Sequence, residues 1–386
     1  MNQSRNTSNT AEINSRTYYL LFLLMILSHS VLSQKTGPYR WWNPAESEFS
    51  VIAGRNWQER LANPYDRLPA AAEANVRPEV WRLGHNSAGE YISFTTDAPE
   101  IVVRYKVKGG LNMPHMPSTG VSGVDLYAKD SRDAWHWIRA SYRFADTVTY
   151  RFSNIASAFP IKEYRLYLPL YNTPVWMEIG VPEQNKFTAI AANTKKAVVL
   201  YGTSIMQGGC ASRPGLAWSN ILGRRIDAPI INLGFSGNGR LEEPLIALMN
   251  ETDARLFVLD CMPNLTDKKT FPAEEIKRRI FMSVNNLQSQ HPEIPILLVE
   301  HCAAVAGTNL DTTQVSLYKW VSDVLAETYH EMKAKKLKNI YLITTADIGF
   351  DNESTVDGTH PNDIGMMKYA DAYEKAIRNI FRQTPE

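Results

Sequence analysis

The sequence predicts an all-β domain followed by an α/β domain with a parallel sheet. Short alternating apolar runs, with little helical periodicity, dominate residues 34–187, which is typical of a β-sandwich or jelly roll. From Lys196 onward, apolar strands alternate with helix-period segments, and that order favours a parallel sheet with helices on both faces. The polar stretch 182–195 lies between the two patterns. We therefore divide the chain into domains at residues 34–190 and 191–386.

The first 33 residues have the character of a secretory signal peptide. A polar start with Arg5 and Arg16 precedes an apolar run at 18–27, and small residues suited to cleavage follow up to Ser33. A membrane anchor and a buried helix are the alternatives. The apolar run is shorter than the roughly 20 residues that span a bilayer, and no cysteine follows it to carry a lipid. We expect export to the periplasm or the extracellular space, with no membrane anchor after cleavage.

The composition is that of an ordinary globular protein. The 386 residues are 44% hydrophobic and 21% charged, with a formal net charge of +1. A charge so close to zero gives no strong field for nucleic acid, and nothing in the sequence indicates an oligomeric state. The odd number of cysteines argues against a disulfide framework and favours buried free thiols. One bridge remains open between two of the three: Cys210, Cys261 and Cys302.

Periodicity places the elements along the chain. The strands predicted in the first domain are 91–95, 100–107, 134–143, 146–152, 163–168 and 174–181. Those predicted in the second domain are 197–201, 229–233, 255–260, 294–299 and 339–344. The helices predicted between and after them are 214–225, 242–250, 273–290, 312–336 and 362–381. The last helix has one apolar face made of Ile364, Met367, Ala370, Tyr373, Ile377 and Phe381.

Four segments of the second domain carry residues suited to chemistry, and each lies at or just after the end of a predicted strand. They are 202–204 (Gly-Thr-Ser), 232–239, 260–264 and 357–361. The carboxyl ends of parallel strands meet at one edge of a sheet, where ligands bind in open α/β folds. We therefore expect the four segments to converge on one site.

The residue types in these segments are complementary. The hydroxyl of Ser204 needs a base to attack a carbonyl carbon, and His360 can supply one. Asp357 lies three residues before His360, so its carboxylate can orient the imidazole. The N–H groups of Ser204 and Gly237 and the side-chain amide of Asn264 are candidate donors to an oxyanion. This chemistry needs no metal or organic cofactor. Taken alone, Ser204 is equally suited to cap a helix.

The four segments resemble the sequence blocks of the SGNH (GDSL-type) hydrolases, in the same order. The resemblance implies a flavodoxin-like three-layer α/β/α domain, with Ser204 as nucleophile and Asp357 and His360 as the family's DxxH pair. It also implies Gly237 and Asn264 as oxyanion donors. Two features depart from the family pattern. Thr203 stands where an Asp is usual, and the third block, MPNL, has no acid after its asparagine.

The first domain has a signature of its own. Residues 122–127, Ser-Gly-Val-Asp-Leu-Tyr, match the GxDLY pattern of the β-domain that precedes this branch of SGNH hydrolases. Residues 65–69 and 113–117 also resemble that domain. Such two-domain chains are similar to exported bacterial carbohydrate acetylesterases. The resemblance therefore implies a serine esterase that removes short acyl groups, mainly O-acetyl, from oligo- or polysaccharides.

Three further residues are candidate substrate contacts. Arg213 follows the nucleophile segment, His301 follows the fourth strand of the second domain, and His115 lies between two Met-Pro steps in a loop that we expect to cover the site. Two other functions remain open. The chain could be a catalytically inactive glycan-binding protein, or an acyltransferase that uses the same triad.

Overall fold

The first half of the chain folds into two antiparallel sheets that enclose one apolar core. The computed structural model describes residues 38–303 and 309–384, so the predicted signal peptide at 1–33 lies outside the described residues. The strands are β1 (Tyr39–Trp42), β2 (Ile52–Ala53), β3 (Tyr91–Thr96), β4 (Glu100–Val107), β5 (Asp125–Asp130), β6 (Trp135–Ile138), β7 (Ser141–Arg143), β8 (Val148–Ser153), β9 (Ile161–Tyr167), β10 (Pro174–Pro182) and β11 (Phe187–Ala189). One sheet has the order β1-β10-β4-β8-β7 and the other β11-β3-β9-β5-β6, with β2 beside β3.

The predicted strands of this half are confirmed in position, with one correction. The sequence predicts a single strand over 134–143, whereas the structure has two, β6 and β7, in different sheets. Arg139 and Ala140 lie between them and carry the chain from one sheet to the other. The strands β1, β2, β5 and β11 were not predicted, because they are short or, like β5, begin and end at Asp residues that weaken the apolar alternation.

The second half contains a five-stranded parallel sheet, as the sequence predicts. Its strands are β12 (Ala197–Gly202), β13 (Ile230–Gly234), β14 (Ala254–Asp260), β15 (Ile296–Val299) and β16 (Ile340–Ile343). All neighbouring pairs are parallel, in the order β13-β12-β14-β15-β16. This is the flavodoxin-like order 2-1-3-4-5, whose point of reversal lies beside the first strand. The α/β fold class is therefore confirmed.

Helices cover both faces of the parallel sheet. The α-helices of the described residues are α1 (Pro78–Gly84), α2 (Ser118–Val121), α3 (Ser204–Gln207), α4 (Trp218–Ile226), α5 (Glu243–Met249), α6 (Ala273–Gln290), α7 (Thr312–Ala334), α8 (Thr345–Ile348) and α9 (Asp363–Gln383). Alternate residues of β12 face opposite sides: Val199 packs in one core with α5, α6 and α7, and Val198 in another with α4 and α9. The domain therefore has three layers.

The apolar face predicted for the last helix is partly wrong. In α9, Ile364 is 53% exposed and Met367 is 40% exposed. The buried face is instead formed by Met366, Tyr369, Ala370, Tyr373, Ile377 and Ile380. Apolar residues occupy more than half of the helix circumference, so their spacing does not fix which arc packs inward. Contact with Trp218 of α4, whose ring centroid lies 4.2 Å from that of Tyr373, selects the arc.

Side chains join the two halves, and Arg40–Glu386 forms one compact unit. The division at residue 190 stays a prediction about the domains. Cys210, Cys261 and Cys302 are all free and buried. Within residues 38–303 and 309–384, no helix combines the length and the apolar character that a membrane span requires.

Candidate active site

Ser204, His360 and Asp357 form one continuous chain of hydrogen bonds. The Oγ atom of Ser204 lies 2.8 Å from Nε2 of His360. On the other side of the ring, Nδ1 of His360 lies 2.7 Å from Oδ2 of Asp357. A carboxylate on Nδ1 holds the ring proton there and leaves Nε2 free to accept the proton of the serine hydroxyl. The structure thus brings together three residues that span more than 150 positions of sequence.

Local structure explains the position of Ser204. The strand β12 ends at Gly202, where a Cβ atom would lie 2.8 Å from the carbonyl oxygen of Asp260, so the chain can turn closely against β14. Thr203 then caps α3, its Oγ1 accepting from the N–H of Ile205 at 3.4 Å. The hydroxyl of Thr203 therefore serves the helix start at the position where the family usually has Asp. Ser204 is the first helical residue and is 6% exposed.

A tight turn holds Asp357 against His360. Oδ1 of Asp357 accepts from the backbone N–H of Thr359 at 3.0 Å and of His360 at 2.8 Å. Gly358 has φ +85°, a conformation that glycine adopts most easily, so the chain can fold back within three residues. Burial acts to raise the pKa of Asp357, but the hydrogen bonds from the His360 side chain and backbone outweigh it and hold the pKa below its ordinary value. Asp357 therefore remains ionised.

The loop after β13 places Gly237 at an open position. Residues 235–238 form a β-turn in which the N–H of Asn238 donates to the carbonyl of Phe235 at 2.8 Å. Gly237 is the third residue of this turn and has φ +70°, as a type II turn requires. A Cβ atom on Gly237 would meet nothing within 4 Å, so space remains beside its N–H for a ligand.

Asn264 links the loop after β14 to the loop after β13. Its Oδ1 accepts from the N–H of Gly239 at 3.1 Å, which turns its Nδ2 group the other way. Gly239 in turn packs so closely on β12 that a Cβ atom would lie 2.2 Å from the carbonyl oxygen of Gly202. Since β13, β12 and β14 are neighbours in the sheet, the loops of Gly237, Ser204 and Asn264 lie side by side.

The β-sandwich half supports these loops through two arginines. Arg67 is fully buried, and its guanidinium donates to the carbonyls of Asn232 and Gly234, both at 2.9 Å, at the end of β13. Arg77 precedes α1 and donates to Oδ1 of Asn238 at 2.7 Å and to Glu242 at 2.6 Å. The turn that contains Gly237 is therefore fixed from outside the α/β domain.

Gln207 connects α3, the helix that begins at Ser204, to the same turn. Its Oε1 accepts from the N–H of Ser236 at 3.0 Å, and its Nε2 donates to the carbonyl of Leu170 at 3.1 Å. The hydroxyl of Tyr171 donates to the carbonyl of Ser204 at 3.0 Å. Leu170 and Tyr171 belong to the loop before β10. A segment of the β-sandwich therefore contacts the backbone of the candidate nucleophile.

His115 lies beside His360. The two ring centroids are 5.8 Å apart, and His115 is exposed. Reciprocal hydrogen bonds of 3.1 Å between the backbones of Met113 and Met116 hold the turn that presents His115. The structure thus brings this predicted residue to the mouth of the candidate active site.

Comparison with known proteins shows the family and the fold of this chain. Residues 195–378 match the model of the GDSL-like lipase/acylhydrolase family, and residues 39–187 match the GxDLY model, described as the N-terminus of SGNH-hydrolase-type esterases. A GDSL-like lipase of Bacteroides ovatus is similar over 89% of this chain and 98% of its own, with 31% identity and a TM-score of 0.79. The chain belongs to the GDSL-like lipase/acylhydrolase family. It is a carboxylic ester hydrolase with an N-terminal GxDLY domain.

More distant solved structures share the fold of this GDSL-like hydrolase. The salicylyl-acyltransferase SsfX3 from a tetracycline biosynthetic pathway has a TM-score of 0.67 and 15% identity, over 89% of this chain and 97% of its own. The acetyl xylan esterase Est2A of Butyrivibrio proteoclasticus has a TM-score of 0.51 and 10% identity, over 88% and 98%. No curated protein sequence matches this chain.

His301 differs from the prediction, because this GDSL-like hydrolase buries it completely. Its Nδ1 accepts from the N–H of Ala303 at 3.1 Å, and its ring stacks on Tyr318 with centroids 3.9 Å apart. Burial, with a smaller electrostatic effect of the neighbouring His360, lowers the pKa of His301 to about 3, so the ring of His301 is neutral. The hydroxyl of Tyr318 contacts Oγ1 of Thr359. His301 therefore lies beneath the Asp357–His360 turn and does not line an open pocket.

Arg213 also differs from the prediction, because it joins the two halves of the chain. Its guanidinium lies 2.5 Å from Oδ2 of Asp125 and 2.7 Å from the hydroxyl of Tyr127. Asp125 also accepts from the backbone N–H of Gly215 at 2.9 Å and from Nε1 of Trp137 at 2.7 Å. The Asp and Tyr of the GxDLY signature thus bind the loop that follows α3, which gives that signature a structural function.

The supporting residues Arg67, Arg77, Gln207 and Tyr171 were missed by sequence reasoning. Arg67 lies within residues 65–69, which the sequence marks as part of the GxDLY resemblance. The resemblance indicates that this segment is important, but it does not indicate which atoms Arg67 binds. Arg77 and Gln207 carry no comparable signal, because their partners belong to distant segments of the chain.

Proposed function

We propose that this hydrolase is a serine esterase that removes short acyl groups, mainly O-acetyl, from carbohydrates. The observation that supports this most directly is the hydrogen-bonded chain from Ser204 through His360 to Asp357. An ester hydrolase needs a nucleophile, a base that accepts its proton, and a group that orients the base. These three residues have the contacts that those roles require.

In the proposed reaction, Oγ of Ser204 attacks the ester carbonyl carbon while its proton moves to Nε2 of His360. The carbonyl oxygen becomes an oxyanion, which accepts hydrogen bonds from the N–H groups of Ser204 and Gly237 and from Nδ2 of Asn264. The carbon–oxygen bond to the sugar then breaks, and His360 protonates the departing sugar oxygen. Water, deprotonated by His360, attacks the carbonyl carbon of the acyl-serine. The bond between that carbon and Oγ then breaks, His360 returns the proton to Oγ of Ser204, and the acid is released. Asp357 stabilises the imidazolium in both steps.

The mechanism gives a direction for the pH dependence. At acid pH, His360 binds a proton and cannot accept the one from Ser204, so activity falls. Asp357 does not contribute to this fall, because its hydrogen bonds hold its pKa below the ordinary value.

Two observations support a carbohydrate substrate, and a third supports a location outside the cytoplasm. The fold is shared with an acetyl xylan esterase of Butyrivibrio proteoclasticus and with a family two carbohydrate esterase of Cellvibrio japonicus, the latter with a TM-score of 0.51 and 11% identity. His115, from the β-sandwich, offers an exposed hydrogen-bonding ring beside His360. The composition of residues 1–33 favours export.

The test is acetate release from a panel of acetylated polysaccharides of plant and animal origin, measured for the wild type and for Ser204→Ala. We expect the wild type to release acetate from at least one glycan, and the variant to lose nearly all of that rate. Equal rates for both proteins would contradict the proposal.

Acyl transfer is the second candidate, because the salicylyl-acyltransferase SsfX3 has the same fold and the same residues could pass the acyl group to an alcohol. Adding a sugar or alcohol acceptor and analysing the products separates the two reactions. Acylated acceptor as the main product would favour transfer. A glycan-binding protein without activity would release no acid from any member of the panel.

A further inference from the structure

The turn that carries Asp357 and His360 lies at the surface and contains a flexible residue. Asp357 is exposed and Val356 is 47% exposed, so little apolar packing fixes this part of the chain. Gly358 has no side chain to restrict its backbone. Oγ1 of Thr355 closes the turn locally, since it accepts from the N–H of Gly358 at 2.8 Å and donates to the carbonyl of His360 at 3.0 Å. These bonds hold the shape of the turn but do not attach it to the rest of the domain.

Tyr318 of α7 supplies such an attachment. Its hydroxyl is hydrogen-bonded to Oγ1 of Thr359, 41 positions later in the sequence. The backbone N–H of the same threonine donates to Oδ1 of Asp357 at 3.0 Å. Thr359 therefore connects a buried residue of α7 to the carboxylate that contacts the ring of His360.

The ring of Tyr318 is itself fixed. Tyr318 is 4% exposed, and its ring stacks on that of His301 with centroids 3.9 Å apart. The backbone N–H of His301 donates to Oγ of Ser322 on α7 at 3.1 Å, and its carbonyl accepts from Oγ1 of Thr345 at 3.0 Å. Burial lowers the pKa of His301 to about 3, so its neutral ring does not oppose the positive charge that His360 gains during the reaction. The hydroxyl of Tyr318 thus reaches the turn from a fixed position.

We propose that Tyr318 is a positioning residue of the esterase reaction. Its hydroxyl fixes Thr359, and thereby the turn that sets the carboxylate of Asp357 against His360. Proton transfer from Ser204 to Nε2 of His360 requires the imidazole to keep its orientation and its distance from the serine oxygen. Without the attachment, the turn adopts several conformations, and the ring is in place for a smaller share of the time. This role rests on the proposed function, because it belongs to the same reaction.

The alternative is that the contact only stabilises the fold. Either role lowers the total activity of a variant, so slower reaction has to be separated from a smaller fraction of competent enzyme. Covalent labelling of the full chain by a fluorophosphonate separates the two. Its end point counts the competent active sites, and its rate reports how well each site activates the serine. The reagent contains no sugar ester, so the result does not depend on the substrate proposed above.

The variants remove single hydroxyl groups and keep the shape of each side chain. Tyr318→Phe and Thr359→Val each remove one partner of the hydrogen bond, and the double variant removes both. Thr359→Ser keeps the hydroxyl and is the conservative variant. Tyr329→Phe is the matched control, because Tyr329 is a partly buried tyrosine about 16 Å further along α7.

We expect every protein to reach the same end point of one label per chain, at Ser204. Labelling should be about three- to tenfold slower in Tyr318→Phe and in Thr359→Val. It should be about as slow in the double variant as in each single one, because both changes remove the same bond. For an acetyl-aryl ester, kcat should fall by the same factor while KM stays within twofold, since no substrate contact is lost. Thr359→Ser and Tyr329→Phe should stay within twofold of the wild type.

Three results would overturn the positioning role and leave the esterase function intact. They are labelling of Tyr318→Phe at the wild-type rate, a lower end point with an unchanged rate, and losses in the double variant that multiply instead of coinciding. No labelling of wild-type Ser204 would overturn the positioning role and the esterase function together. Labelling without acetate release from any acetylated glycan would contradict the substrate alone, and the labelling rates would still decide the role of Tyr318.

Discussion

Two aspartates of this hydrolase show that hydrogen bonds lower the pKa of a carboxyl group, whereas burial raises it. Asp357 is partly exposed and accepts hydrogen bonds from His360 and two backbone N–H groups, and its pKa lies below the ordinary value. Asp260 is completely buried and accepts one bond, from the hydroxyl of Tyr373 at 2.8 Å. Burial raises the pKa of Asp260 to about 7. The first aspartate is suited to keep its charge, and the second keeps its proton up to about pH 7.

The role of Asp357 can be tested by an isosteric change. Asp357→Asn keeps the shape of the side chain but removes the charge that stabilises the imidazolium and the acceptor that fixes the ring proton on Nδ1. We expect kcat for an acetyl-aryl ester to fall by about 10²–10⁴-fold, with little change in KM. Asp146→Asn, at an exposed loop position, is the control. A variant with more than a third of the wild-type kcat would rule out Asp357 as the residue that orients His360.

The buried Asp260 predicts how stability depends on pH. Its folded-state pKa of about 7 lies above the ordinary value of 3.8, so the folded protein binds the extra proton and its stability falls as the pH rises through 7. Glu90, buried and with its pKa raised to about 7 by burial, acts in the same direction. Asp260→Asn removes one ionisable group. The free energy of unfolding, measured in urea at pH 5 and at pH 8, should therefore fall less between these two pH values in the variant than in the wild type, by about 1–4 kcal/mol. An equal loss in both proteins would show that Asp260 does not titrate in this range.

At the scale of secondary structure, the candidate site depends on loops that are held from the β-sandwich. The strand β13 ends in a turn that contains Gly237, and the guanidinium of Arg77 bonds both the side chain of the next residue, Asn238, and Glu242. The family's usual acid after Asn264 is absent, and Leu265 is buried in the core there. Arg77 supports the loop of Gly237 from the other side.

We expect Arg77→Ala to lower kcat about tenfold while KM stays within twofold, because the loop loses its anchor but no substrate contact is removed. Arg82→Ala, an exposed arginine on α1, is the matched control. Thermal unfolding of both variants should stay within a few degrees of the wild type, since Arg77 is partly exposed. If KM rose and kcat did not change, Arg77 would contact substrate instead of positioning the loop.

The sequence predicts most elements of this fold but not their pairing. Apolar strands such as β12 and β14, and the helix α6, can be read from periodicity because burial alone determines the pattern. The buried arc of α9 could not be predicted from periodicity, because Ile364 and Met367 are apolar but exposed. Contact with Trp218 of α4 determines which arc is buried, and the sequence of α9 alone does not reveal that contact.

At the scale of the whole molecule, the β-sandwich contacts the loops that carry the candidate active site. Arg67 binds backbone atoms 165 and 167 positions away in sequence, and Tyr171 binds the carbonyl of Ser204. No pattern within one segment predicts such contacts, because each depends on how the two halves meet. The motif residues Ser204, Asp357 and His360 could be found from sequence, whereas the groups that hold their loops required the structure.

The position of His115 leads to a prediction about specificity. We expect His115→Ala to raise KM for an acetylated oligosaccharide by about three- to tenfold, because a hydrogen-bonding ring beside His360 is removed. The kinetics on a small acetyl-aryl ester, which has no sugar hydroxyl for His115 to bind, should change by less than twofold. Asn112→Ala, an exposed position in the same loop, is the control. A similar loss on both substrates would mean that His115 acts on His360 itself and not on the glycan.

The most direct test of the central claim is covalent labelling of the full chain by a fluorophosphonate, followed by mass spectrometry of the peptides. Such a reagent reacts with a serine only when a neighbouring base removes its proton and an oxyanion site stabilises the product. We expect one label per chain, located at Ser204, with labelling lost in Ser204→Ala and at least a hundredfold slower in His360→Ala. A label on another serine, or equally fast labelling without His360, would contradict the assignment of Ser204 and His360 as nucleophile and base.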